Sequence, residues 1–213
     1  GGIVTPQTLA DHMAQLGFDP GAVQRGEQHL CADNVACYLE AHIEQGPVLE
    51  NEGIPLGIVQ AIAGGPRWRD GRIYGTYAHA GGAPRGYRQD AVVALGEFIY
   101  RVNQLWARFH EQGIYTLFTF GIVGTDPEMH TYSRVPGEAR FCLDTRCIDT
   151  AVRVRIDTEI KNIAHETSER HNVSFEWGPD SGPNISPMDE GLQAALCSAA
   201  QRLGVPYKEM ASG

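Results

Sequence analysis

The chain has 213 residues, 42% of them hydrophobic and 20% charged, which is the ordinary globular range at a length above the usual single domain. A formal net charge of −9, with acidic residues scattered along the chain, excludes nucleic acid, which needs a basic face on its partner. No run of about 18 apolar residues could cross a membrane, and five cysteines without a CxxC pair, behind an N-terminus with no signal-peptide pattern, point to a reducing, cytoplasmic setting.

In chain order, Thr5-Pro6 followed by Leu9, Met13 and Leu16 before Gly17 predicts a capped helix with a glycine stop. Residues 18–34 are polar and turn-rich, and Ala36 to Pro47 predicts a buried strand closed by a turn. His42 and Glu44 share one face of that strand, because side chains alternate with period two. A short helix over Pro47 to Asn51 and a strand over Leu56 to Ala63 lead to Gly64-Gly65-Pro66, a candidate hinge. Arg67 to Tyr77 predicts a strand, and Asp90 begins a helix whose apolar positions Val92, Leu95, Ile99, Val102, Trp106 and Phe109 step by three and four. Tyr115 to Val123 and Gly137 to Arg146 predict strands. Asp149 caps a helix carrying Val152, Ile156, Ile160 and Ile163, and Val173 to Trp177 predicts a further strand. The order strand, helix, strand, strand, helix, strand over residues 67–178 is the split βαβ pattern of a ferredoxin-like α/β sandwich. Pro179 to Pro187 reads as a linker, Asp189 to Leu203 as an amphipathic helix ending at Gly204, and Tyr207 to Met210 as a strand. Residues 1–64 and 185–213 then form pieces of a second domain into which the sandwich is inserted.

His42 and Glu44, two apart on a strand that ends in Gly46-Pro47, could both reach a sheet edge where metal ligands sit; a hydrogen-bonded histidine beside solvated glutamates explains the same spacing. The whole segment His42-Ile43-Glu44-Gln45-Gly46-Pro47-Val48-Leu49-Glu50 resembles the signature of the carbamoylase-type amidases, a group of N-carbamoyl-L-amino-acid hydrolases, allantoate amidohydrolases and β-ureidopropionases. The resemblance implies that His42 ligates one of two divalent ions, zinc or else manganese, cobalt or nickel, and that Gln45 contacts substrate. Ala78-His79-Ala80-Gly81-Gly82-Ala83-Pro84, with Arg88 and Asp90 following, resembles a second segment of that family. It implies that His79 reaches from a lid into the partner subunit's active site and stabilises the oxyanion, a contribution on the order of 3 kcal/mol. A turn histidine bonding its own loop is the alternative for His79. Val135-Pro136-Gly137 through Phe141, Leu143, Asp144 and Arg146 resembles the family's Asn-x-Val/Ile-Pro-Gly…Phe-x-Leu-Asp-x-Arg stretch. Arg146 thereby inherits the substrate carboxylate, for which a guanidinium fork is the natural partner, and a surface ion pair is its alternative. Ser133, at the asparagine position, inherits a substrate hydrogen bond.

Several positions depart from the family pattern. Ser133-Arg134 and His130 replace frequent asparagines or their neighbours, Gly82-Ala83 replaces two threonines, Arg85 replaces methionine, and Gly64-Gly65-Pro66 lacks the glutamine of allantoate hydrolases, so allantoate itself is disfavoured. The family completes its metal pair with an upstream histidine, aspartate and Glu-Glu and a downstream Gly-His-Asp-Ala, none of which occurs in these 213 residues. His12, His29, His110, His165 and His171 have no ligand spacing and read as surface residues. The resemblance therefore implies an α/β protein in which a ferredoxin-like lid over residues 67–180, the dimerisation domain, is inserted into a partial zinc-aminopeptidase-like catalytic domain over residues 1–66 and 181–213. It implies a homodimer acting on a small ureido or amide substrate, with neither nucleic acid nor membrane as partner. With one ligand of the set, the 213 residues alone are expected to bind metal weakly or not at all and to be non-catalytic.

Overall fold

The computed structural model describes residues 7–213, and the Thr5-Pro6 cap expected for the first helix lies outside them. The chain divides into two compact units, one ending at Ile43 and one running from Glu44 to Gly213. In the first, α1 (Leu9–Gln15) is started by a capping box in which Thr8 and Asp11 satisfy each other's backbone amides. Asp19 caps α2 (Pro20–Gln24), with proline at the first helical position where its missing amide costs nothing. Leu9, Leu16, Phe18 and Val23 remain exposed. The strand predicted over Ala36 to Pro47 is not formed: the segment has no regular structure and is almost wholly exposed. An alternating pattern becomes a strand only where a neighbour completes the ladder hydrogen bonds, and among the described residues none does.

The second unit opens with α3 (Val48–Glu52), which ends at Gly53 in the left-handed conformation. Strand β1 (Leu56–Ile62) follows, then β2 (Arg67–Tyr74), β3 (Ala78–His79), α4 (Ala91–Glu111) and β4 (Thr116–Gly124). The rest comprises β5 (Arg134–Val135), β6 (Glu138–Cys147), α5 (Thr150–His171), β7 (Ser174–Glu176), β8 (Ser186–Pro187), α6 (Glu190–Leu203) and β9 (Tyr207–Ser212). A four-stranded sheet of order β4-β6-β2-β7 is antiparallel throughout, the ferredoxin-like arrangement expected from the element order. Alternate residues of β6, Ala139, Phe141, Leu143 and Cys147, are buried on the face that α4 and α5 cover. Phe98 of α4 lies at the centre, 5.2–5.9 Å from the rings of Phe120, Phe141, Phe175 and Trp177. Each such pair adds roughly 0.5–1.5 kcal/mol beyond area burial. The buried stripe of α4 is Ala91, Ala94, Leu95, Phe98, Val102, Leu105 and Phe109, whereas Val92, placed on it from sequence, is exposed. The expected stripe took in the half-buried Ile99 and Trp106 and so stood rotated by one residue, missing the buried Phe98 and Leu105 as well as the small Ala91 and Ala94.

A three-stranded sheet of order β8-β1-β9 pairs β1 with β9 in parallel and with β8 antiparallel, and α6 packs against β1. The candidate hinge between the sheets is bonded on both sides. Gly64 and Cys147 exchange backbone bonds of 3.0 and 2.8 Å, Gly65 donates to Pro183 at 3.2 Å, and the Pro66 carbonyl accepts the Thr145 amide at 3.1 Å and hydroxyl at 2.7 Å. The backbones approach so closely that a Cβ on Gly182 would stand 1.7 Å from the Gly65 carbonyl oxygen, so glycine is required there. No helix among the described residues is long and apolar enough to cross a membrane.

Candidate active site

The outer face of the four-stranded sheet is polar because its alternate residues, Arg140, Cys142, Asp144 and Arg146 on β6, point away from the helices. Arg146 stands at the end of β6, next to Cys147, which bridges to Gly64 just after β1. Its Nε and Nη2 donate to Asp144 Oδ2 at 3.1 and 3.0 Å, and Arg67 Nε donates to the other carboxylate oxygen at 2.8 Å. The surface-ion-pair alternative for Arg146 is thus partly realised, but the pair is half-buried and Nη1 stays open. A Cβ placed on Gly213 would stand 3.9 Å from that Nη1, so the free donor faces the carboxyl end of the parallel pair β1 and β9. Crevices outside the carboxyl ends of parallel strands are where α/β sheets bind ligands. Burial pushes the phenol of Tyr115 up, against the opposing influence of Arg146, so it stays a neutral neighbour.

His79 lies at the other end of the lid. In the antiparallel pair β3 and β5 it stands opposite Arg134, and the Ala80 amide donates to the Ser133 carbonyl at 2.7 Å, so His79 and Ser133 are brought close by sequence-distant strands. Both side chains are exposed. The His79 carbonyl accepts the Gly82 and Ala83 amides at 3.0 Å each, which makes a tight turn without engaging the imidazole. Arg88 clamps this turn through the carbonyls of Ala83 at 2.7 Å and Ala80 at 2.6 Å. Beside it is a cavity of about 470 Å³ lined among others by Tyr77, Asp126, His130, Tyr132 and Arg134. None of its residues was singled out from sequence for binding, and only the departures at His130 and Arg134 hinted at it. Eight residue steps along extended β6 separate Glu138 from Arg146, roughly 26 Å at about 3.3 Å per step, and His79 lies beyond Glu138. One small molecule cannot touch His79 and Arg146 of the same chain.

His42 belongs to the first unit, is exposed, and approaches the Ile43 carbonyl through Nδ1 at 2.5 Å. A proton on Nδ1 leaves the Nε2 lone pair outward, the tautomer that metal-ligating histidines adopt. Gln45, in the second unit, is exposed at φ 53°, while its neighbour Glu44 accepts the Val48 and Leu49 amides at 2.9 Å each and so anchors α3. That explains Glu44 without a metal. Among the described residues no group of three or more His, Cys, Asp or Glu side chains could hold a metal ion, so they do not fit a binuclear centre by themselves. His171, expected on the surface, is half-buried and bonded through Nε2 to Glu97 at 2.7 Å across α4 and α5.

No family model matches the chain. Allantoate amidohydrolase of Escherichia coli (strain K12) is 31% identical over 207 residues, 97% of this chain and 48% of that protein. N-carbamoyl-L-amino acid amidohydrolase of Geobacillus stearothermophilus is 31% identical over 212 residues, again 97% of this chain and 48% of that protein. A hydantoinase/carbamoylase family amidase from Burkholderia ambifaria superposes with a TM-score of 0.74 at 28% identity, covering 82% of this chain and 41% of that one. The chain belongs to the carbamoylase-type amidase family. It spans about half the length of the curated relatives it matches. The departures from the family pattern at Ser133, Arg134 and Gly82-Ala83 fall in and beside the exposed β3–β5 pair.

Proposed function

We propose that the protein carrying this chain hydrolyses the linear C–N bond of N-carbamoyl amino acids or related ureido acids, as a homodimer joined through the lid. Residues 67–180 form that lid in this reading, and residues 1–66 and 181–213 contribute to the catalytic domain. Arg146 holds the acid end of the substrate through its open Nη1, where a charge-assisted bond both orients and attracts a carboxylate. His79 donates to the oxygen on which negative charge develops as the amide carbon is attacked. Ser133, close to His79, and Gln45 supply further polar contacts. The two ends of β6 carry this reading: roughly 26 Å separates Glu138 from Arg146, so His79 and Arg146 can serve one substrate only if they come from different subunits.

His42 is one ligand of the proposed divalent pair, and the others are supplied by sequence outside these 213 residues. The relatives are hydrolases of allantoate or N-carbamoyl-L-amino acids by name, which supports the substrate class, and the departures around Gly82-Ala83 favour the carbamoyl acids over allantoate. The test is release of the free amino acid from an N-carbamoyl amino acid by the full-length protein. Turnover that a chelator abolishes and a divalent ion restores is expected, with none from the 213-residue chain alone. Absence of turnover on every N-carbamoyl and ureido acid, with divalent metal supplied, would overturn the proposal.

A further inference from the structure

Arg67 and Arg146 reach one carboxylate from different strands. Asp144 accepts from Arg67 Nε at 2.8 Å through Oδ1 and from Arg146 Nε and Nη2 at 3.1 and 3.0 Å through Oδ2. The three side chains are only 20%, 25% and 30% exposed, so solvent screens the cluster incompletely. Among the described residues neither arginine has a second carboxylate partner. The nearby Asp180 accepts the Arg67 main-chain amide at 3.0 Å and the Arg153 guanidinium at 2.8 Å, so its charge is already matched. Thr119 and Leu117, opposite Asp144 and Arg146 on β4, are uncharged. Two guanidiniums therefore share one carboxylate, and a net positive charge is left at the edge that Arg146 Nη1 turns toward the end of β9.

We propose that Asp144 is a positioning residue that locks the Arg146 guanidinium, and that Arg67 supplies the second positive charge, so that the trio is completed by one carboxylate of the substrate. The proposal rests on Arg146 as the anchor of the acid end. A lone Asp144–Arg146 pair would be aimed but neutral, and a lone Arg146 would be charged but free to rotate. The two neighbours separate these properties. Arg67→Met removes the charge and keeps the lock, whereas Asp144→Ala removes the lock and keeps the charge.

The test compares an N-carbamoyl amino acid with the analogue whose carboxylate is a carboxamide, in the full-length protein. Arg67→Met is expected to raise KM for the acid about tenfold with kcat nearly unchanged, and to leave the carboxamide untouched, as loss of one charged contact does. Asp144→Ala is expected to reduce the same preference, with partial rescue in Asp144→Glu. A second readout needs no turnover. In the 15N spectrum of the 213-residue chain, the Arg146 Nε–H resonance is expected to be protected from exchange in the wild type and in Arg67→Met, and lost in Asp144→Ala. Equal losses on acid and carboxamide, or an unchanged preference in both variants, overturn the proposal while wild-type turnover leaves the hydrolase reading standing. The acid is chosen from those the wild type hydrolyses, and if it hydrolyses no N-carbamoyl or ureido acid with divalent metal supplied, the hydrolase reading fails; an Arg146 signal that is the same in wild type and Asp144→Ala overturns the locking independently.

Discussion

The thiol of Cys147 is buried where β6 ends, donating to the carbonyls of Gly64 at 3.5 Å and Asp149 at 3.4 Å. Burial pushes it up from its ordinary value, outweighing the backbone amide hydrogen bond that Asp149 offers the thiolate and the charge of Arg153, so the reactive thiolate is scarcer than in a free cysteine. In the folded chain at pH 8, Cys147 is expected to be alkylated last and the exposed Cys37 first, with the difference abolished in denaturant. Mapping the alkylated peptides by mass against time checks this, and equal rates in the native chain would show that the β6 end opens freely. At this scale the motifs singled out His42, His79 and Arg146 as candidates for chemistry. They could not reveal that Arg67 belongs with Arg146, because the shared Asp144 lies 77 positions from Arg67 and meets it only through the β2–β6 register. Nor was the anchoring of α3 by Glu44 visible, since it depends on the turn at Gln45, a non-glycine residue with positive φ.

The segment between β7 and β8 shows how a stretch that reads as a plain linker acquires structure. Asp180 in it accepts the amides of Arg67 at 3.0 Å and Gly182 at 2.8 Å and the Arg153 guanidinium at 2.8 Å, tying the start of β2 to α5. Burial alone would raise its carboxyl, but the two amide bonds and Arg153 outweigh burial and hold it below its ordinary value. The folded state therefore favours the ionised form, and the stabilisation is present above the unfolded value near 4 and lost as pH falls through the folded one. Asp180→Asn is expected to cost about 1 kcal/mol near pH 7, a modest figure because solvent still reaches the pair. The gap between variant and wild type in denaturant unfolding should be full above the ordinary carboxyl value of about 4 and narrow progressively as pH falls below it. A gap independent of pH would mean that the side chain's shape, not its charge, holds the clamp. Strongly periodic elements such as α4 and α5 were legible in place, because one covered face imposes a 3.6-residue rhythm on any sequence. Ala36 to Pro47 was not, because alternation specifies a face but cannot supply the neighbouring strand.

For the molecule as a whole, the element order sufficed to imply the ferredoxin-like sheet, since a split βαβ sequence with right-handed crossovers leaves few strand orders open. What it could not give is the distance between the two ends of that sheet, on which the proposed shared site depends. Arg146 sits where the lid joins its own β1 and β9, whereas His79 and Ser133 sit at the far end, beyond the Glu138 end of β6. A dimer in which each site takes Arg146 from one subunit and His79 from the other has a distinctive genetic consequence. His79→Ala and Arg146→Met homodimers each lack one group in both sites and are expected to be nearly inactive. In a mixed dimer, one site receives the intact Arg146 of the first chain and the intact His79 of the second, while the other site receives both lesions. Random reassortment makes half of the dimers mixed, each with one working site of two, so co-refolding equal amounts is expected to restore about a quarter of wild-type activity. If both groups came from one lid, every site in every dimer would carry a lesion, and mixing would restore nothing whatever the strength of the interface.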